Sequence, residues 1–271
     1  MLNQVRFIRK VRFVALATFM ASAAFAEGTT MEKFLENQAL VNLGETSFQK
    51  YCSGCHGAKG DAATASQLLD PKPRNLTSGT FKFRSTPVGA LPTDADLERT
   101  IRQGVPNSSM PSFANLPDST VRGLVAYIKT LSPVWQEPSY YQKPTRLPEF
   151  PEAWKTSKSQ FLEAAKKGRK VYAASCALCH GPEGRGDGPS AEGMTDEWDQ
   201  PIQPANLSIG VKGGPGVDAL IRGIGNGLSG TPMAGFYDAL GEKDFLNVVA
   251  YVFYLRGEAK GLYPKGTVPA N

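Results

Sequence analysis

A repeat runs through this chain, and it limits the fold to two copies of one domain. The pentapeptides Cys52–His56 and Cys176–His180 both read Cys-x-x-Cys-His, and they begin 124 positions apart. Gly44 and Gly168 precede them at the same distance. Self-similarity at a fixed offset indicates a duplicated structural unit. We therefore predict two tandem domains within the 271 residues.

The repeat continues on the far side of each pentapeptide. Asn75-Leu76 and Asn206-Leu207 correspond at an offset of 131, so the second copy carries seven extra residues, which we place within Ser190–Gln200. At an offset of 123, three apolar residues, an arginine, a glycine and a methionine recur. The pairs are Leu97 with Leu220, Arg99 with Arg222, Ile101 with Ile224, Gly104 with Gly227, Met110 with Met233 and Phe113 with Phe236.

The duplication divides the chain into four segments. We expect a signal peptide over residues 1–26, a first domain over 27–132, a connector over 133–156 and a second domain over 157–271. Prolines recur in the connector and break any helix there. Its aromatic side chains favour an extended segment packed along a surface, and a flexible spacer is the alternative that the sequence leaves open.

The N-terminus has the pattern of an export signal. Basic side chains within the first 12 positions precede an apolar run, Phe13–Ala26, that ends in Ala24-Phe25-Ala26. A basic start, a short apolar run and an A-x-A ending are typical of a secretory signal peptide. The run is shorter than the roughly 20 residues that span a bilayer. We expect cleavage, a periplasmic protein and no transmembrane span thereafter, with an uncleaved membrane anchor as the alternative.

The charge balance argues against a nucleic-acid partner. The whole chain has a net charge of +5. Residues 1–26 contain four basic side chains and no acidic one, so residues 27–271 keep 26 basic and 25 acidic side chains, a net charge of +1. Binding to nucleic acid requires a basic surface, and we expect no such partner.

Hydrophobic periodicity predicts an all-α protein with long loops. A Thr93-x-x-Asp96 sequence resembles a capping box at the start of one helix. Phe81–Arg84 alternates as a strand would, but it is short. The predicted helices cover Gly44–Tyr51, Asp96–Gln103, Ser119–Leu131, Phe161–Tyr172 and Glu242–Leu255.

Every cysteine and histidine of the chain falls inside the two pentapeptides. Cys-x-x-Cys-His is the attachment motif of c-type haem. Two cysteines on one helical turn can each form a thioether to a vinyl group of one haem, and the next residue, histidine, then faces the iron as its proximal ligand. We therefore predict two covalently bound haems. The attachment residues are Cys52, Cys55 and His56 in the first copy and Cys176, Cys179 and His180 in the second.

Paired cysteines also occur in two other kinds of site. A Cys₄ zinc site can use Cys-x-x-Cys twice, but it has no use for a histidine immediately after each pair. A thioredoxin-like dithiol motif is expected between a strand and a helix, and no such context is visible in the sequence. Haem attachment explains all six residues and is the favoured interpretation.

The second axial ligand of each iron follows by elimination. Because both histidines are already used, methionine, the usual partner of histidine in cytochromes c, is expected. Met110 lies 54 residues after the first motif histidine and Met233 lies 53 after the second; each adjoins a proline and precedes a phenylalanine by three positions. A methionine at helical spacing is more often core filling. Met110 and Met233 lie in loops between the predicted helices, so we predict that they are the second axial ligands. Met31 and Met194 are predicted to be packing residues.

The mature chain as a whole resembles a tandem dihaem cytochrome c, with each half similar to a class I cytochrome c domain. The resemblance rests on Cys-x-x-Cys-His-Gly, on the methionine loops Ser109–Phe113 and Thr231–Phe236, and on the aromatic closing helices. It implies that a glycine and an aromatic residue of each first helix pack against an aromatic residue of the last helix. The implied contacts are Gly44 and Phe48 with Tyr127, and Gly168 and Tyr172 with Tyr251.

One segment departs from the repeat. Thr77–Pro92 of the first half has no counterpart in the second, and the sequence assigns it no function. Arg84, or the repeated pair Arg99 and Arg222, can hold a haem propionate, because guanidinium pairs well with carboxylates. A solvated helix face is the alternative for these arginines.

An iron with protein ligands on both faces has no open position for substrate, so its remaining chemistry is electron transfer. We predict an electron-transfer protein and not an enzyme, either free or as the cytochrome subunit of a respiratory oxidoreductase. Its expected partners are redox proteins: a dehydrogenase or quinol-oxidising complex as donor and a terminal oxidase or reductase as acceptor. The alternative is a haem enzyme with a substrate-accessible iron, such as a dihaem peroxidase. Such peroxidases resemble this motif pattern but use further distal histidines, and this chain has only two histidines.

Overall fold

The computed structural model describes residues 36–63, 69, 71–262, 265, 267 and 268. These residues form helices and irregular loops, with one isolated β-bridge between Thr195 and Pro201 and no strand among them. The prediction of an all-α protein is confirmed. The predicted signal peptide and Met31 lie outside the described residues. In the part of the chain that is described, no helix is both long and apolar enough to cross a membrane.

The first copy of the repeat folds around four helices within its described residues. Thr93 begins α3 as predicted: its hydroxyl accepts from Asp96 N, and the Asp96 side chain accepts from Thr93 N, which completes a capping box. The apolar faces of α1, α3 and α4 enclose a core that contains Phe48 and Leu124. The helices are α1 (36–51), α2 (Ser53–His56), α3 (Asp94–Gln103) and α4 (Asp118–Thr130).

The second copy repeats this order after a short helix in the connector. Its last helix is interrupted at Gly241, where the backbone has φ 69° and ψ 163°, so the helix predicted over Glu242–Leu255 is the part beyond the interruption. Its core contains Phe245, Val248 and Val249, none of them exposed. The helices are α5 (Glu152–Thr156), α6 (Lys158–Ser175), α7 (Ala177–His180), α8 (Val217–Asn226) and α9 (Tyr237–Ala259).

The first and last helices of each copy cross at a glycine. A Cβ atom built on Gly44 would lie 1.9 Å from the carbonyl oxygen of Gly123, so only glycine lets α1 approach α4 this closely. In the second copy, a Cβ on Gly168 would lie 1.8 Å from the carbonyl oxygen of Asn247.

Aromatic pairs beside the crossings confirm the contacts that the resemblance implied. The ring centroids are 5.3 Å apart for Phe48 and Tyr127, and 5.1 Å apart for Tyr172 and Tyr251. Each pentapeptide therefore follows a helix that is fixed against the last helix of its own domain.

The connector packs along the protein surface, which settles the alternative that the sequence left open. Trp135 is 5% exposed in the first core, and Phe150 is 6% exposed in the second. Trp135 lies in a 3₁₀ turn, Pro133–Gln136, and a second 3₁₀ turn, Pro138–Tyr140, follows it. The backbone N–H of Thr145 donates to the carbonyl of Ser85 (2.9 Å) and thereby ties the connector to the segment that the second copy lacks.

Phe81–Arg84, whose sequence alternates as a strand would, forms no strand, in agreement with the all-α prediction. These residues form bends, because no neighbouring strand offers a hydrogen-bonding ladder. Alternate side chains of this segment nevertheless contact different parts of the protein. Phe81 contacts Trp135 of the first core, with ring centroids 5.8 Å apart. Phe83 instead lies beside Gly213 of the second domain. The segment thus bridges the two domains.

Candidate functional site

Each pentapeptide forms a single helical turn directly after the first helix of its domain. In the first copy, the N–H groups of Cys55 (3.1 Å) and His56 (2.9 Å) donate to the carbonyl of Cys52. The second copy repeats both bonds from Cys179 and His180 to Cys176, at 3.2 and 2.9 Å. The structure thus brings the three predicted attachment residues of each copy together on one turn.

The cysteines of the first pair differ in exposure, and those of the second pair do not. All four are free thiols, and Cys55 is exposed while the other three are half-buried. Burial, with a smaller contribution from the neighbouring cysteine, raises the pKa of Cys52 and of Cys176 to about 11. Both thiols are therefore protonated at neutral pH in the polypeptide.

The histidine rings are oriented by the same backbone contact in both copies. His56 Nδ1–H donates to the carbonyl of Arg74 (2.8 Å), and His180 Nδ1–H donates to the carbonyl of Ala205 (3.0 Å). With the proton on Nδ1, the lone pair of Nε2 is available to bind a metal. Histidine ligands generally make a hydrogen bond of this kind through their other ring nitrogen. Burial lowers the pKa of both histidines, and the bonds to the carbonyls offset part of this effect. The lowered pKa favours the neutral form of the ring, which can bind a metal.

The carbonyls reach the histidines because a loop closes at a matching place in each domain. The N–H of Leu76 donates to the carbonyl of Gly60 (2.7 Å), and that of Leu207 donates to the carbonyl of Gly184 (2.6 Å). These bonds bring the residue two positions before each leucine beside the histidine ring. Sequence reasoning found the Asn-Leu pairs but missed this role.

The methionine loops have the same internal hydrogen bonds. In each, the methionine N–H donates to a hydroxyl two residues earlier, and the methionine carbonyl accepts from the N–H five residues earlier. The bonds are Met110 N to Ser108 Oγ (3.2 Å), Val105 N to Met110 O (3.1 Å), Met233 N to Thr231 Oγ1 (3.3 Å) and Leu228 N to Met233 O (2.9 Å).

A glycine at the end of the preceding helix lets the backbone of each methionine loop pack closely against it. Gly104 (φ 65°) and Gly227 (φ 66°) adopt left-handed backbone conformations that favour glycine. A Cβ there would lie 2.5 Å from the carbonyl carbon of Pro111 or 2.6 Å from that of Ala234. Met110 and Met233 are both half-buried. Met194 lies in the loop of extra residues instead, where its carbonyl accepts from Ile202 N (3.0 Å).

Arg84, Arg99 and Arg222, the arginines considered as partners of a haem propionate, lie at the junction of the two domains. Arg84 is 2% exposed, so the solvated alternative is wrong for it. Arg99 binds Asp96 at 2.6 Å. Arg222 is half-buried, and burial, with the nearby charge of Arg99, lowers its pKa. Together with Lys82, the three arginines line a small cleft between the domains.

Four buried polar atoms at this junction have no hydrogen-bond partner among the described residues, and three of them can donate to a carboxylate. They are Arg84 Nε, both polar atoms of the Asn226 side-chain amide, and Ser229 Oγ. Leaving such groups unpaired costs about 1–3 kcal/mol each. Arg84 Nε, Asn226 Nδ2 and Ser229 Oγ can each donate to an anionic acceptor, whereas Asn226 Oδ1 is itself an acceptor and needs a donor. Three of these atoms are donors of the kind that a haem propionate needs, and propionate binding by Arg84 stays a prediction.

The zinc alternative finds no support in the geometry. The two cysteine pairs lie in different domains. Among the residues with described positions, no three His, Cys, Asp or Glu side chains form a cluster able to hold a metal ion. Each pentapeptide supplies one histidine and two thiols on a single turn, as attachment of one haem requires.

Comparison with known families assigns one match to each half of the chain. The family model for cytochrome c matches residues 165–256. The family model described as cytochrome C oxidase, cbb3-type, subunit III matches residues 39–128. No curated protein sequence matches the chain.

Among solved structures, a chain of the reducing HAO-like protein complex of Kuenenia stuttgartiensis is similar to this protein. It is 36% identical with a TM-score of 0.69, and the similarity covers 79% of this chain and 95% of that chain. Fold and site together define a c-type cytochrome, a haem protein of electron transfer. The chain belongs to the tandem cytochrome c family.

Proposed function

We propose that this protein is a periplasmic dihaem cytochrome that carries electrons between redox proteins through two irons, each ligated by a histidine and a methionine. The proposed ligands are His56 with Met110 and His180 with Met233. The observation that carries the proposal is the duplicated arrangement of both ligand types. Each histidine is fixed by a backbone carbonyl on Nδ1, and each methionine lies in a loop with matching hydrogen bonds.

When bound, haem supplies an iron that gains and loses one electron. The chain supplies everything that holds it in place. Cys52 with Cys55 would hold one haem through thioether bonds, and Cys176 with Cys179 would hold the other. The Nδ1 bonds aim Nε2 of each histidine and raise its basicity as a ligand. A methionine sulfur bound to the iron would favour its reduced form and so raise the reduction potential.

The proposed partners are redox proteins on the donor and acceptor sides. A dehydrogenase or quinol-oxidising complex would deliver electrons, and a terminal oxidase or reductase would accept them. The similar chain from Kuenenia stuttgartiensis belongs to a protein complex, which supports a role as the cytochrome subunit of an oxidoreductase. The small net charge of residues 27–271 favours docking through local contacts rather than long-range attraction.

Denaturing mass spectrometry tests the cofactor content. Protein produced with the cytochrome maturation machinery should have the mass of the polypeptide from Glu27 plus two haems, because each pentapeptide binds one haem covalently. A mass with one haem or none would refute the count, and a mass that retains residues 1–26 would refute cleavage. Alanine at both Cys176 and Cys179 should remove one haem mass, while alanine at Ser53, inside the first pentapeptide, should remove none.

A ligand-binding experiment separates the carrier from a haem enzyme. Carbon monoxide added to the reduced protein should leave both absorption spectra nearly unchanged, because Met110 and Met233 occupy the positions where it would bind. The measurement is a spectrophotometric titration at neutral pH. Stoichiometric binding to one haem would instead favour an enzyme with a substrate-accessible iron.

A further inference from the structure

The segment that the second copy lacks is anchored in the first domain. Both the backbone N–H (2.9 Å) and the hydroxyl (2.8 Å) of Ser85 donate to Asp96 Oδ2. Asp96 lies in the first turn of α3 and is fully buried. It also receives the Thr93 N–H and pairs with Arg99. A carboxylate with this many donors holds Ser85 firmly, and the direction of the Arg84 side chain is set with it.

From this anchor, Arg84 reaches into the second domain. Its guanidinium donates to the carbonyl of Asn226 from both terminal nitrogens (3.2 Å each) and to the carbonyl of Gly227 (3.4 Å). These carbonyls lie at the end of α8, where the last carbonyl groups of a helix have no partner within the helix. A cation at a helix C-terminus is also favoured by the helix dipole.

The carbonyls that Arg84 binds lie at the base of the Met233 loop. Gly227 begins the turn, Leu228 N donates to the carbonyl of Met233 (2.9 Å), and Phe236 N closes the loop onto the carbonyl of Ile224 (2.9 Å). Movement at the end of α8 therefore moves the loop that carries the methionine. The second copy has no segment equivalent to Thr77–Pro92, and within the described residues no arginine of the second domain hydrogen-bonds to the Met110 loop.

We propose that Arg84 of the first domain is a positioning residue for the second haem site. It clamps the base of the Met233 loop and places a buried positive charge at that site, so that the first domain helps to set the reduction potential of the second haem. This inference rests on the proposed function. A buried cation disfavours the extra positive charge of oxidised iron, and a firmly held loop keeps the sulfur in place; both effects raise the potential.

The test compares three variants of the full-length holo protein with the wild type. Arg84→Met removes the charge and the bonds, and Arg84→Lys keeps the charge but loses the planar fork that spans two carbonyls. Arg102→Met is the matched control, because Arg102 is also in the first domain but binds only groups there: Glu98, Leu116 and Asp118. The readouts are position-resolved hydrogen exchange and a redox titration of both haems.

Arg84→Met should speed exchange in residues 227–236 roughly tenfold or more, because bonds to a charged donor are lost. Residues 104–113 should exchange as in the wild type. The potential of one haem should fall, and it should be the haem whose potential Met233→Ala also lowers. Arg84→Lys should keep that potential nearer to the wild-type value while exchange in residues 227–236 still rises. Arg102→Met should change neither readout in the second domain.

The inference is overturned if Arg84→Met leaves exchange in residues 227–236 unchanged, or if it shifts both haems equally, as general loosening of the domain junction would. Failure of the proposed function would look different. It would appear in the wild-type protein as a missing haem or a missing sulfur–iron absorption band, and the exchange comparison would still decide whether Arg84 holds the loop.

Discussion

Alanine in place of Met233 should abolish about half of the weak red band that sulfur-to-iron charge transfer gives the oxidised protein, if the two haems contribute equally. The reduction potential of one haem should fall, because the thioether that favours reduced iron is lost. The other haem should keep its potential, since Met110 lies in a loop with its own hydrogen bonds to Val105 and Ser108. Met110→Ala should give the mirror result, and the double variant should lose the band.

Met194→Ala is the control for this pair of substitutions. Met194 is also a half-buried loop methionine of the second domain, and its bond from Ile202 N uses the backbone carbonyl, which alanine preserves. The red band and both potentials should therefore stay at wild-type values. Loss of half the band in Met194→Ala, with none in Met233→Ala, would show that the repeat assigns the wrong methionine to the second haem.

Local signals and the repeat explain what the sequence predicted well. The capping box at Thr93 depends on four adjacent residues, so it could be recognised without any tertiary information. The methionine loops were found because Met110 and Met233 recur beside matching glycines and phenylalanines. The carbonyl contacts to the histidines were missed, because a backbone atom makes them. Arg74 and Ala205 share no side-chain feature that would mark their common role.

The junction between the domains could not be predicted, because its contacts join distant parts of the chain. Arg84 and Asn226 are 142 positions apart. The short alternation at Phe81–Arg84 gave no sign that Phe81 contacts the first domain while Phe83 lies beside Gly213 of the second. The packing of the connector also depends on tertiary contacts, because Trp135 and Phe150 enter the cores of two different domains. The repeat shows that two similar domains exist, but it does not indicate which residues of the two domains contact each other.

Alanine at Gly168 should destabilise the second domain by at least about 2 kcal/mol, with loss of the native haem spectrum at a lower denaturant concentration. Alanine at a helix interior favours the helix by about 1 kcal/mol relative to glycine. Here the methyl group would lie 1.8 Å from the carbonyl oxygen of Asn247. A backbone oxygen cannot turn aside as a flexible side chain can, so α6 and α9 must separate. Their separation would weaken the contact between Tyr172 and Tyr251, whose ring centroids are 5.1 Å apart.

Gly54→Ala provides the matched control. It places the same methyl group in helix α2, where nothing lies within 4 Å of the added Cβ, and the second copy carries Leu178 at the equivalent position. Denaturant unfolding of the holo protein, followed by haem absorption and by helical circular dichroism, should show Gly54→Ala at or slightly above wild-type stability and Gly168→Ala well below it. Equal midpoints for Gly168→Ala and the wild type would mean that the helices do not cross as closely as described. Gly44→Ala should lower the stability of the first domain in the same way, because its methyl group would lie 1.9 Å from the carbonyl oxygen of Gly123.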